Sequence, residues 1–108
     1  CGEHRVMTWH PVCDLDALPM GTPRGVRIDR VGICLVRTAE EIFAVRDECT
    51  HGAVPLSDGD VDGDTIECWM HGSRFDLRTG APLNLPATEA VRTFPVRVID
   101  GIVGLDMP

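Results

Sequence analysis

The chain contains no lysine and no tyrosine, and all ten of its cations are arginines. Exclusive use of arginine reads as coding bias rather than as function. A surplus of positive charge is also missing. Seventeen acidic residues against those ten arginines leave a formal net charge of -7, which argues against nucleic acid and against an anionic membrane surface, since both would repel it. A basic docking partner suits it better. Long hydrophobic runs are absent: nothing approaches the roughly 20 residues of a membrane span, and no secretory h-region opens the chain. A cytoplasmic protein is therefore expected, with no membrane association. No stretch of ten residues or more keeps a 3.6-residue apolar period, so no long helix is expected. Glycine-rich phosphate loops, a nucleophile elbow and the order of a catalytic triad do not occur. Cys1, Cys13, Cys34, Cys49 and Cys68 are an odd set, so a complete disulfide framework is not available and a reducing compartment fits.

What is there describes one folded domain. At 108 residues, 44% of them hydrophobic and 25% charged, the chain can bury one core and one site but not a cofactor domain plus a substrate domain. Eleven glycines and eight prolines favour turns over helices. Met7 opens "MTWHPVCDL" and is a candidate native start, with Cys1 to Val6 as an extension. "VMTWHPVC" (6 to 13) reads as a first strand, and Asp14 is placed to cap a short helical turn that Pro19 stops. "GVRID" and "ICLVRT" flank a turn near Arg30 to Gly32, and "EIFAVRD" follows as the next strand. "LSDGDVDGDTIECW" reads as a hairpin turning at Asp62-Gly63, and "FDLRTG" ends in a turn at Thr79-Gly80. "APLNLPATEA" is an irregular loop, after which "VRTFPVRVID" and "IVGLDMP" form the last two strands about Asp100-Gly101. The reading is all-β.

Two short segments carry chemistry. "CTHGAVP" places Cys49 and His51 one residue apart, and "CWMH" places Cys68 and His71 two residues apart, with sixteen residues between the pairs and a glycine after each histidine. Two similar loops could close on one object with four ligands of two kinds. Structural zinc accepts two thiolates and two imidazoles, but its familiar fingers pair like with like, whereas each pair here is mixed. If each loop supplies one thiolate and one imidazole, two metals can be held, one by the cysteines and one by the histidines. That is the ligation of a Rieske [2Fe-2S] centre.

The segment from Cys49 to about Val98 resembles the Rieske-type ferredoxins of bacterial ring-hydroxylating and related non-haem iron oxygenases. The resemblance implies an antiparallel β-sandwich over residues 1–108, with a small two-loop cluster-binding subdomain at about residues 47–87. It implies one [2Fe-2S] cluster, with Cys49 and Cys68 on the inner iron and His51 and His71 on the outer one. The implied work is one-electron transfer from a flavin-dependent NAD(P)H ferredoxin reductase to a terminal oxygenase, by a carrier that is not itself an enzyme and is expected as a monomer. By the same likeness Pro86, in "LNLPATEA", shields the cluster, and Trp69 and Met70 lie at the tip. High-potential relatives carry an extra cysteine in each loop, where this chain has Val54 and Met70. They also set a serine and a tyrosine hydroxyl against sulfur. Ser73 is kept here, but Phe75 stands in the tyrosine's place, so a potential near the low end of the Rieske range is expected.

Alternatives are a structural zinc module, the small subunit of an assimilatory nitrite reductase, and the cluster domain of a terminal oxygenase, which would call for a further catalytic domain. Asp58, Asp60, Asp62 and Gly63 begin like a calcium loop, but its twelfth position is Trp69 instead of glutamate. His4 and His10 have no ligand-like neighbours. Cys13 and Cys34 sit in apolar strand patterns and read as buried hydrophobes.

Overall fold

The computed structural model describes residues 7–39, 41–50, 52, 54–70 and 72–107. Among the described residues, ten strands form three antiparallel sheets. The first sheet joins β1 (Thr8–Asp14), β10 (Ile102–Met107) and β9 (Val96–Ile99), in the order β1-β10-β9. The second joins β2 (Arg24–Ile28), β3 (Val31–Arg37), β4 (Ile42–Arg46) and β8 (Thr93–Phe94) in the order β2-β3-β4-β8. The third is a small meander of β5 (Asp60–Asp62), β6 (Thr65–Glu67) and β7 (Arg74–Asp76).

The central sheet is covered on both faces. Alternate side chains of a strand point to opposite faces, and in β3 the run Ile33 to Val36 is wholly buried regardless of which way each residue points. Ile33, Leu35 and Ala44 pack with Phe94, Leu105 and Met107 against the first sheet. Cys34, Val36, Phe43 and Val45 pack on the other side with Leu56, Ile66, Phe75 and Leu77, on the face of the third sheet. An unbroken apolar run is what a strand with no solvent face requires.

The turns mostly follow their chemistry. Asp100 and Gly101 take φ of 52° and 76° between β9 and β10, the type I′ pattern that Asp-Gly favours. The β2–β3 turn falls on Asp29 and Arg30, at φ 48° and 71°, not on Arg30 to Gly32. Gly32 is instead a residue of β3, paired with Arg27. The β5–β6 turn, by contrast, falls one residue later than Asp62-Gly63, on Gly63 and Asp64. Asp14 occupies the N-cap of a one-turn 3-10 helix, Leu15–Ala17, but its side chain makes no capping bond.

One expectation is corrected in kind. "VRTFPVRVID" is not one strand but two, β8 and β9, lying in different sheets with Pro95 between them. Proline has no N–H to give a ladder, so the chain leaves the second sheet there and enters the first. The Pro95 carbonyl still accepts the Asp106 N–H at 2.9 Å, which fixes the crossing.

Gly80 closes the turn after β7 at φ 80°, and a Cβ there would collide with the Val91 carbonyl. Its own N–H donates to the Asp76 carbonyl at 2.7 Å, and its carbonyl accepts the Val91 N–H at 2.8 Å. Gly63 also has positive φ but open space around it. Gly63→Ala is expected to cost only the left-handed penalty of about 1–2 kcal/mol. Gly80→Ala should cost clearly more, read as a larger drop in the urea midpoint of unfolding.

Candidate metal centre

Two loops leave the covered face of the central sheet and carry the four residues singled out by spacing. The first follows β4 and the second joins β6 to β7. They close in the same way. The Cys49 N–H donates to the carbonyl of Val54 at 2.8 Å, and the Cys68 N–H donates to the carbonyl of Ser73 at 2.7 Å, five residues on in each case. Inside each ring a glycine N–H returns to the cysteine carbonyl, Gly52 to Cys49 at 3.1 Å and Gly72 to Cys68 at 3.0 Å. Gly72 takes φ of 74°, a region costly for other residues.

Both cysteines end inside the same apolar cluster. Cys49 is 3% exposed and Cys68 1%. His51 and His71 lie outside the described residues. Among the described residues no three histidine, cysteine or acidic side chains gather as a metal site. The donor set nevertheless fits a group that takes two thiolates from within the protein: two matched loops bring two sulfurs into one dry cluster. Cys34 shares that cluster but lies on β3, and burial, with the Asp47 charge adding to it, raises its thiol far above the ordinary value. It stays protonated and inert, which agrees with its reading as a small hydrophobe. Cys13 is half-buried on β1. His10 also sits on β1, in a different sheet from the loops, and His4 falls outside the described residues.

Several supports were not visible as motifs. Asp47, just before the first loop, accepts the Ser57 N–H at 2.7 Å through Oδ1 and the Ser57 hydroxyl at 2.7 Å through Oδ2, clasping the loop at its base. Gly25 is what leaves room: a Cβ there would stand 2.8 Å from Asp47 Oδ2 and 2.8 Å from Ser57 Oγ. A third loop, residues 82–90, lies against both ligand loops. Thr50 Oγ1 donates to the Glu89 carbonyl at 2.7 Å, and the Ala87 N–H donates to Ser73 Oγ at 3.1 Å. Pro86, half-buried after a cis peptide bond, and the buried Ala87 belong to this loop. The outer surface is apolar in part, with Trp69 56%, Met70 46% and Leu85 75% exposed. Asp58 ends a one-turn 3-10 helix, Leu56–Asp58, and Asp60 and Asp62 lie on β5, with no α-helix on either side among the described residues.

Comparison with known proteins agrees with this geometry. The model of the Rieske [2Fe-2S] domain matches residues 8–95. The anthranilate 1,2-dioxygenase ferredoxin subunit of Burkholderia cepacia is 36% identical over 97% of this chain and 97% of its own. A structure described as a complex of reduced oxygenase and oxidized ferredoxin in carbazole 1,9a-dioxygenase holds a chain that superposes with TM-score 0.84 and 38% identity, over 90% of this chain and 91% of that one. A candidate NADH-dependent nitrite reductase small subunit from Mycobacterium tuberculosis superposes with TM-score 0.85 at 24% identity, over 96% and 98% of the two chains. At that identity the likeness concerns the fold alone.

Ser73 is wholly buried, and its oxygen receives the Ala87 N–H. Ser73→Ala would leave that buried donor without a partner, an omission worth about 1–3 kcal/mol. A lower urea midpoint by that amount is the expected result, with Ser73→Cys intermediate because sulfur is the weaker acceptor.

Proposed function

The chain belongs to the Rieske [2Fe-2S] domain family, and on that premise we propose that it carries single electrons from a flavin-dependent NAD(P)H reductase to a terminal Rieske-type oxygenase. It holds one Rieske-type cluster and is an electron-transfer component, not the catalytic enzyme, as are the ferredoxins it resembles. The zinc reading falls with that membership. The observation that carries the assignment is the matched closure of the two loops on Cys49 and Cys68.

Cys49 and Cys68 would bind one iron as thiolates, and His51 and His71 the other as imidazoles, within a cluster-binding unit of about residues 47–87. The bound cluster supplies one electron at a time. The chain's residues exclude water from the sulfurs, because both cysteines are closed inside an apolar cluster. They also fix the loops through the two N–H to carbonyl rings, so little backbone rearrangement is available when the charge changes. No helix among the described residues is long and apolar enough to cross a membrane, and a carrier moving between partners in the cytoplasm is the setting we assign. The exposed Trp69 and Met70 belong to the tip through which the electron would pass to the oxygenase.

Purified protein is expected to contain two irons and two acid-labile sulfides per chain, reddish-brown in colour. Replacement of His51 or His71 should abolish the low-average-g signal of the reduced protein, since imidazole donation to one iron produces it. Zinc at one atom per chain, or an unchanged signal in both variants, would overturn the ligand assignment.

Ser73 and Phe75 bear on the potential. A hydroxyl that donates to sulfur withdraws electron density and favours the reduced state. Ser73 has that proton to give, whereas the wholly buried Phe75 ring has none. The potential is expected near the low end of the roughly -150 to +300 mV Rieske range. Voltammetry at neutral pH measures it, and Phe75→Tyr should raise it when the new hydroxyl reaches a sulfur. A crystal structure showing that bond beside an unmoved potential would defeat the account.

A further inference from the structure

Loop 82–90 meets the second ligand loop through one side chain with two ends. Asn84 Oδ1 accepts the Arg74 N–H at 2.6 Å, and Asn84 Nδ2 donates to the Gly72 carbonyl at 3.0 Å. Beside it the Leu83 N–H donates to the Arg74 carbonyl at 2.8 Å. The loop thus runs along β7 as a partial neighbour, and Asn84 extends that pairing past the strand's end to Gly72. Gly72 directly follows His71 in the chain. Its N–H is engaged by the Cys68 carbonyl and its carbonyl by Asn84, so the residue is held from both sides at a left-handed φ of 74°.

Asn84 is the only asparagine and there is no glutamine, and a carboxamide can accept from an N–H and donate to a carbonyl through one planar group without depending on its protonation state. At its far end the same loop receives the Thr50 hydroxyl at the Glu89 carbonyl. One loop is therefore latched to both ligand loops.

We propose that Asn84 is a positioning residue for the cluster. It latches loop 82–90 to Gly72, the residue that follows His71, and so controls how long a loaded cluster persists and the geometry of the imidazole-ligated iron. The proposal rests on the cluster-binding reading above. Asn84 is exposed, so its loss should act on the site more than on the fold.

The test compares loaded wild-type protein with Asn84→Ala, Asn84→Asp and a control, Thr65→Val. Aspartate keeps an acceptor for the Arg74 N–H but removes the donor to Gly72. The control deletes a similar exposed bond, from Thr65 Oγ1 to the Asp62 carbonyl at 2.8 Å, in the far hairpin. Both Asn84 variants are expected to lose cluster absorbance to an iron chelator roughly two- to tenfold faster than wild type, the span supported by one hydrogen bond. They should also shift the g values of the reduced protein, while Thr65→Val changes neither reading. Wild-type bleaching and unchanged g values in both Asn84 variants would overturn the proposal. So would lability confined to Asn84→Ala, which would assign the effect to Arg74, or equal lability in Thr65→Val, which would make it general loosening. A wild-type protein that yields neither iron nor signal would instead overturn the cluster reading beneath it.

Discussion

The strand pair β3–β4 has no solvent face, and the rest of the molecule is arranged by that constraint. Each residue from Ile33 to Val36 must find apolar company, half of it on the first sheet and half on the third. A single two-layer stack could satisfy only one of these sets. The chain supplies the second cover with the β5–β7 meander and with the two loops that carry Cys49 and Cys68. The sulfurs are dry because they help to cover a sheet that would otherwise expose Cys34, Val36, Phe43 and Val45. Burial of the site and burial of the core are one event, and about 25 cal/mol for each Å² of apolar surface removed from water favours both together.

Loops that cover a core must still satisfy their backbone. Each ligand loop does so internally, with its cysteine N–H and a following glycine N–H returned to carbonyls of the same loop. This closure leaves side chains free for other uses. The remaining polar ties run outward, from Asp47 to Ser57 at the base of the first loop, from Thr50 and Ser73 to the third loop, and from Asn84 of the third loop back to Gly72. Such ties are individually weak, about 0.5–1.5 kcal/mol net, but they join three loops that share no ladder. A redox site benefits from this division, since the apolar cover sets the environment of the sulfurs while the ties set the direction of the chain at each ligand.

The all-β class, the Rieske likeness carried by the two mixed pairs, and the turns at Thr79-Gly80 and Asp100-Gly101 were legible because each depends on local chemistry: period-two runs, turn residues and the spacing of soft ligand types. The failures share a cause. The split of "VRTFPVRVID" at Pro95 depends on which sheet each half can join, and strand propensity is blind to that. Asp29-Arg30 took the β2–β3 turn although Arg30 is a poor left-handed residue, since the register of β2 with β3 places Gly32 opposite Arg27 and leaves only two residues to turn. Asp14 reached the N-cap position but bonded nothing there. The clasp of Asp47 on Ser57 and the two-ended bond of Asn84 join residues ten or more positions apart, and no spacing rule relates them. The lone Asn84 in a chain with no glutamine was nevertheless a visible signal.

Charge completes the account of the site. Taking up an electron adds one negative charge inside the apolar cluster, and the third sheet that forms its cover carries Asp60, Asp62, Asp64 and Glu67 around its hairpin. Arg74 offsets Glu67 and Arg78 offsets Asp64, each at 3.5 Å and in an exposed setting. With a cluster held there those carboxylates would disfavour the reduced state, although water and salt weaken them beyond a separation of about 8–10 Å. Phe75 would act in the same direction from within, since its buried ring offers no proton to sulfur. The field of the hairpin and the missing hydroxyl are independent in origin, one electrostatic and screened, the other a local bond that salt cannot reach. On the proposed reading both would push toward a carrier that gives its electron away readily, which would tie the acidic surface that argues against nucleic acid to the redox chemistry as well.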